Sequence, residues 1–245
     1  VSGIAEGDGE MAEAIRRNGD KAERILAVTR DLLLKRGVRG MTVAQIAERA
    51  HVGKGTVYLY WDTKEELFFS VLARDFLATL DEFAAVIQRD PEVMRPRRLV
   101  PLIVRACLDH PFVRAIQTGD VDTLGLLTEY PLTKQLLATV SPGRTMQQLL
   151  PLLRRYGLAR TDWDLADQAF ALDAIIAGFF ALDSGMLPKP EGALDDSAAI
   201  LAATTHALIE PDNPTDDVGP AATEALASLA ETRSIVAALL EHVRK

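Results

Sequence analysis

From Lys54 to Trp61 the chain reads KGTVYLYW, with no acid among a lysine, a glycine, a threonine, two tyrosines and a leucine. That set makes a poor solvent face and a good nucleic-acid face. Lysine reaches guanine acceptors or phosphate, Thr and Tyr hydroxyls reach phosphate oxygens, and apolar groups meet a thymine methyl. On this reading Lys54, Gly55 and Tyr58 face bases, with Leu59 beside them. Thr42, Thr56, Tyr60 and Lys64 hold phosphates. Gly55 lets the backbone approach closely. Val57 and Trp61, four apart, share the face that packs inward. The competing reading is a core helix whose aromatics only fill space, and spacing alone leaves it open.

No constellation for catalysis stands beside this one. His51, His110, His206 and His242 are far apart and form no HExxH pair, and the sequence has no nucleophile elbow, P-loop or GxGxxG. No enzyme, metal site or cofactor is expected. Asp195-Asp196 and Asp216-Asp217 read as solvated charge. The one cysteine, Cys107, excludes an internal disulfide and fits a reducing, cytoplasmic setting. Within LVPLIVRACLDH it reads as a small core residue rather than a redox sensor. The first twenty residues are polar and glycine-rich, so no secretory segment is expected. The most apolar run, Phe170 to Leu182, is short and carries Asp173, so no membrane span or membrane partner is expected.

The elements that must position Lys54 to Tyr60 are legible around it. Thr42 with Gln45 is a capping box, and Val43, Ile46, Ala47 and Ala50 then recur at helical spacing. His51-Val52-Gly53 breaks that helix, with Gly53 available for a corner needing positive φ or close approach. A second short helix follows, and Thr63 with Glu66 starts a third. Helix, tight turn, helix is the shape that lays a second helix in a DNA major groove. Before it, Lys21 to Arg36 predicts a bracing helix with Ala22, Ile25, Leu26, Thr29, Leu32 and Leu33 inward and Gly37 as its stop. Charge is uneven. Residues 10–61 carry ten Lys/Arg and six Asp/Glu, a net +4, whereas the remainder beyond Trp61 is net −10 within a chain of −8. A basic head on an acidic body fits a protein touching double-stranded DNA at one end.

Residues Lys21 to Leu72 resemble the N-terminal domain of the TetR family of transcriptional regulators. The resemblance rests on Ala22, Ile25, Leu26 and Gly37, then MTVAQIAERAHVGKGTVYLYW, then DTKEEL; Gly55 to Tyr60 is its most specific part. Two residues depart from the pattern. Gly53 stands where the family more often has a capping Ser or Thr, and Trp61 where Phe is usual. The first weakens the helix start and removes one phosphate contact; the second is a conservative core exchange. The resemblance implies a homodimeric repressor. Its remaining helices bind a small-molecule effector, and its bridging helix tilts like a pendulum when they do.

The rest of the chain predicts an all-α body. Lys64 to Gln88 is one long amphipathic helix, with Leu67, Phe68, Val71, Leu72, Phe76, Phe83 and Ile87 on its stripe, and it alone bridges head and body. From Leu99 to Tyr156 short helices are punctuated by prolines and glycines, which packs poorly and suggests a ligand cavity. Candidate lining residues are Phe112, Gln117, Leu124, Leu127 and Tyr130, with Asp173 and Phe180 from further along. Asp164 to Gly185 is apolar on more than one side. One row is small, namely Ala171, Ala174, Gly178, Ala181 and Gly185, and Ala198 and Ala202 repeat the pattern in the helix after it. Such rows let a twin helix approach across a two-fold axis.

The expected organisation is a flexible tail over 1–20, a helix-turn-helix domain over 21–66 (motif about 43–62), and a ligand-binding and dimerisation domain over 67–245 with a mobile linker near 210–220. Arg16 and Arg17 in the tail are candidates for minor-groove contact. The functional expectation is a homodimeric repressor released from a palindromic operator by a small molecule. A dimeric small-molecule carrier that no longer reads DNA, or a ligand-dependent activator, are the alternatives.

Overall fold

The computed structural model describes the backbone except at 1–2, 40, 141, 190–195 and 244–245, and side chains except at these and at 3–18, 121, 126 and 142–147. The protein is all-α, with no strand among the described residues. The head comprises α1 (Gly3–Arg36), α2 (Val43–Arg49) and α3 (Lys54–Tyr58), and α4 (Lys64–Arg89) leads out of it. A 3-10 turn, Pro91–Met94, precedes α5 (Pro96–Asp109), α6 (Pro111–Thr118) and α7 (Val121–Leu124). After a second 3-10 turn come α8 (Pro131–Val140), α9 (Pro142–Arg155), α10 (Leu165–Asp183), α11 (Ser197–Ile209) and α12 (Gly219–His242).

Local chemistry places these boundaries. Both capping boxes are formed: Thr42 and Thr63 accept the backbone N–H of Gln45 and Glu66, whose side chains reach back. Gly37, at φ +66°, ends α1, and its N–H donates to the Leu33 carbonyl at 2.8 Å. Prolines open α5, α6, α8 and α9, where a missing N–H costs nothing. α1 starts at Gly3 and so runs through the stretch read as a tail, since no proline interrupts it and its three interior glycines, Gly7, Gly9 and Gly19, weaken a helix without barring it. The side chains of Arg16 and Arg17 lie outside the described residues.

Two buried clusters form the interior. The head-side cluster joins α1 to α3 and the first half of α4 with Phe112, Val113, Leu124, Leu127, Leu136 and the end of α12. The distal cluster gathers Ile87, Met94 and Leu99 with residues from α9, α10, α11 and the start of α12. α12 packs along α4 and α11 along α5. The 210–220 segment, expected to be mobile, is tied down. Glu210 is buried and accepts the Arg97 N–H at 2.8 Å, Thr215 N–H donates to the Gly157 carbonyl, and Arg95 donates to the Thr215 carbonyl. Its backbone groups have protein partners, which is what holds a polar, proline-bearing loop in place.

Candidate nucleic-acid interface and internal cavity

α3 is braced from behind and bare in front. Val57 and Trp61 are buried, and the Trp61 indole N–H donates to Ser70 Oγ at 2.9 Å. The Arg24 Nε of α1 donates to the Ala50 carbonyl at 2.8 Å, satisfying one orphan acceptor at the end of α2. On the other side Lys54 and Gly55 are exposed, Tyr58 is 38% exposed and Leu59 is 70% exposed. Lys54 Nζ lies 5.8 Å from the Tyr58 ring centroid, so the cation and the phenol form one patch. A Cβ at Gly55 would meet nothing within 4 Å, leaving open approach. Thr42 is exposed and Thr56 half-buried.

Two of the expected contact residues sit differently from the rest. Tyr60 is half-buried against the head-side cluster, its ring tilted on Trp61 at 5.6 Å, because α3 ends at Tyr58 and the chain turns inward. Lys64 is half-buried with Nζ 5.7 Å from the Phe68 ring. The turn also differs in detail. His51, at φ +52°, takes the left-handed position, and Gly53 is extended (φ −72°, ψ 149°) as the N-cap of α3. With no side chain, Gly53 makes no capping bond.

Between the two buried clusters lies a cavity of about 170 Å³. Its head-side wall includes Phe76, Thr79, Leu80, Cys107, Gln117 and Val140; its distal wall includes Ile87, Met94, Leu99, Leu152, Ile176 and Ala225. Exposed Gln148 and Ser228 mark an opening between α9 and α12. Burial pushes the Cys107 thiol up to about 11, so it stays protonated and unreactive at neutral pH. Among the described residues, no cluster of His, Cys, Asp or Glu is arranged to hold a metal ion.

Among the ligand candidates read from sequence, Gln117 lines this cavity. Phe112, Leu124 and Leu127 are buried in the head-side cluster, and Tyr130 packs on Phe69 at 5.9 Å. Phe180 is buried, and Asp173 borders a separate cleft with Leu165 and Phe170. Several wall positions come from α4 and α12. In the sequence the α4 positions read only as the apolar stripe of the bridging helix. A gap between helices far apart in sequence leaves no local signal.

One α4 side chain ties α6 to α4 beyond their shared core packing. Buried Asp75 accepts the Phe112 N–H at 2.9 Å and the Val113 N–H at 3.4 Å, capping α6 across the helix pair. The His110 ring lies 3.5 Å from Asp75 and 3.1 Å from Glu82.

Residues 25–71, which span the last part of α1 through the first part of α4, match the family model described as bacterial regulatory proteins, tetR family. Over these residues the chain carries a domain of the tetR family type. The HTH-type transcriptional repressor KstR of Rhodococcus jostii (strain RHA1) is 28% identical over 159 residues, 64% of this chain and 68% of that protein. The uncharacterized HTH-type transcriptional regulator YdeS of Bacillus subtilis (strain 168) is 44% identical over 55 residues, 22% of this chain and 26% of that one. A solved structure of the HlyIIR mutant protein aligns over 80% of this chain and 100% of its own, at 15% identity and TM-score 0.49.

The two most apolar helices, α10 and α11, are poorly covered. α10 is long and apolar enough to cross a membrane by length and composition, longer than the Phe170 to Leu182 run alone, yet 22% of its apolar window is buried. Phe170 is 77% exposed. Of the small residues, Ala174, Gly178, Gly185 and Ala198 are exposed, and Ala171, Ala181 and Ala202 are half-buried. A contiguous apolar face of this kind marks a contact surface.

Proposed function

We propose that the protein is a homodimeric repressor that holds a palindromic operator through two α3 helices and releases it when a small molecule fills the cavity. The observation carrying this reading is the patch of Lys54, Tyr58 and Leu59, left bare on a helix whose back is locked by Val57 and Trp61. Each α3 would enter a major groove, with Lys54, Gly55 and Tyr58 toward bases and Thr42 and Thr56 toward phosphates. Tyr60 and Lys64 would contribute a hydroxyl and a charge from the edge of that surface. The α10 and α11 faces would pair across a two-fold axis and cover Phe170. Functionally, residues up to about 66 act as the DNA-binding unit and the remainder as the ligand-binding and dimerisation unit. The setting is cytoplasmic.

α4 supplies the coupling. Its first half belongs to the head-side cluster and its Ile87 to the distal one, with the cavity between. A ligand seated there favours one separation of the clusters and therefore one tilt of α4. Asp75 carries the movement of α6 to the same helix. Release is then a shift between two body shapes that differ in ligand affinity.

The test is a gel shift with fragments of the protein's own promoter. Lys54→Ala with Tyr58→Ala should abolish operator binding while leaving oligomeric state and ligand binding intact. Unchanged operator affinity would remove α3 from the DNA surface. A DNA-affinity slope near zero against salt would favour a ligand carrier that does not read DNA.

A further inference from the structure

We propose that the effector is an uncharged, chain-like molecule carrying a hydroxyl, seated with the hydroxyl toward the DNA-reading head and its hydrocarbon toward α10. This rests on the regulator reading above and specifies the chemistry of its ligand.

Four features of the cavity lead there. The first is charge: its described lining contains no charged side chain. A carboxylate or ammonium placed inside would lose hydration with nothing to replace it. The second is shape. The lining follows α4 from Phe76 to Ile87, eleven residues, which at helical rise is about 16 Å. A volume of about 170 Å³ spread over that length is a slot rather than a globe.

The third feature is polarity along the slot. Thr79, Gln117, Thr139 and Thr232 stand at its head-side half. Val140, beside Thr139, and Ile116, beside Gln117, pack on the head-side cluster. Thr232 is next to Arg233, which pairs with Asp81 of α4 at 2.6 Å and so fixes its level. The far half is mainly hydrocarbon, from Ile87, Met94, Leu99, Leu152, Ile176 and Ala225, with the polar Gln148 and Ser228 confined to the exposed opening.

The fourth feature is the hydrogen-bond balance, and it selects the functional group. Thr79, Thr139 and Thr232 each donate their hydroxyl proton to their own helix, to the carbonyls of Asp75, Gln135 and Ser228 at 2.9, 3.0 and 3.0 Å. What they offer the slot is lone pairs. The Gln117 amide has no hydrogen-bond partner among the described residues and offers both an N–H and a carbonyl oxygen. A ligand hydroxyl donates to one of these acceptors and accepts from the Gln117 amide. An ether or ketone only accepts, and leaves the threonine oxygens unanswered.

Titration calorimetry on the full chain with octanol, heptyl methyl ether (the same number of heavy atoms) and octanoate reads these terms separately. Octanol should bind. The ether should bind about tenfold more weakly, for the loss of one donated hydrogen bond. Octanoate should bind at least about 100-fold more weakly, for the uncompensated charge. Gln117→Leu, at a half-exposed position, should bring the alcohol and the ether to similar affinity. Equal binding of alcohol and ether by the parent protein, octanoate binding as tightly as octanol, a preference unchanged in Gln117→Leu, or no binding of octanol would each overturn the assignment. The regulator reading fails by a different measurement. If octanol binds as expected but leaves the promoter complex intact in a gel shift, the slot chemistry stands and the release mechanism falls.

Discussion

Phe68 and Phe69 are fully buried in the head-side core, whereas about four turns further along the same helix Phe83 is half-exposed and borders empty space. One helix thus spans a rigid region and a yielding one. In the head, buried aromatics, two capping boxes and the Trp61–Ser70 bond brace α3, as the proposed DNA-reading role requires of a surface with fixed geometry. In the body, a cavity and two thinly covered helices leave the interior less tightly filled, which is the property the proposed ligand response would draw on.

The sharpest way to break this contrast is a matched pair of truncations on α4. Phe68→Ala should cost about 3–5 kcal/mol in urea unfolding, because it opens a void in a closed core. Phe83→Ala should cost about 1 kcal/mol or less, because the ring already faces open space. Equal losses would show that both halves are packed alike.

A smaller effect tests the seam between the regions. Gly37 is left-handed, and a Cβ there would fall 1.8 Å from the Asp122 carbonyl oxygen of α7. Gly37→Ala therefore meets both backbone strain and a clash with main chain that cannot swing aside. It should cost about 2 kcal/mol or more, read as a lowered unfolding midpoint. A neutral result would mean that the α1–α7 contact gives way easily.

The smallest effect concerns the exposed face of α10. Burial raises the Asp173 carboxyl above the usual carboxylate range. A carboxyl raised by folding holds its proton more tightly in the folded state. Stability is therefore lost as pH climbs from the ordinary aspartate value through the raised one. Asp173→Asn should match the parent in acid and exceed it slightly at neutral pH in thermal melts. An advantage that persists in acid would point to a cause other than charge.

How much was legible in advance differs between the two regions for one reason. The head is built from short-range rules. Thr42 with Gln45, Thr63 with Glu66 and Gly37 after Arg36 each act within a few residues, so caps, stops and the inward pair Val57 and Trp61 could be read along the chain. Even there, the turn residue with positive φ is His51 rather than Gly53. Which residue of a corner takes the left-handed angle depends on how α2 and α3 pack. In the body the helices were largely legible too, since prolines announce their starts. What they enclose was not. Phe112, Leu124 and Leu127 look no different in sequence from Leu152 and Ile176, yet the first group fills a core and the second lines a slot.

By itself, then, the sequence determined most of the helices and many of their ends, the basic head and the polar-aromatic composition of α3, because capping, periodicity and charge act locally; that Tyr58 and Leu59 stand bare was decided by packing. Only the tertiary structure decided where the cavity lies, that α12 walls it, and that Asp75 ties α6 to α4. Those outcomes depend on which faces meet across 37 to more than 150 residues of chain, and no local preference encodes such meetings.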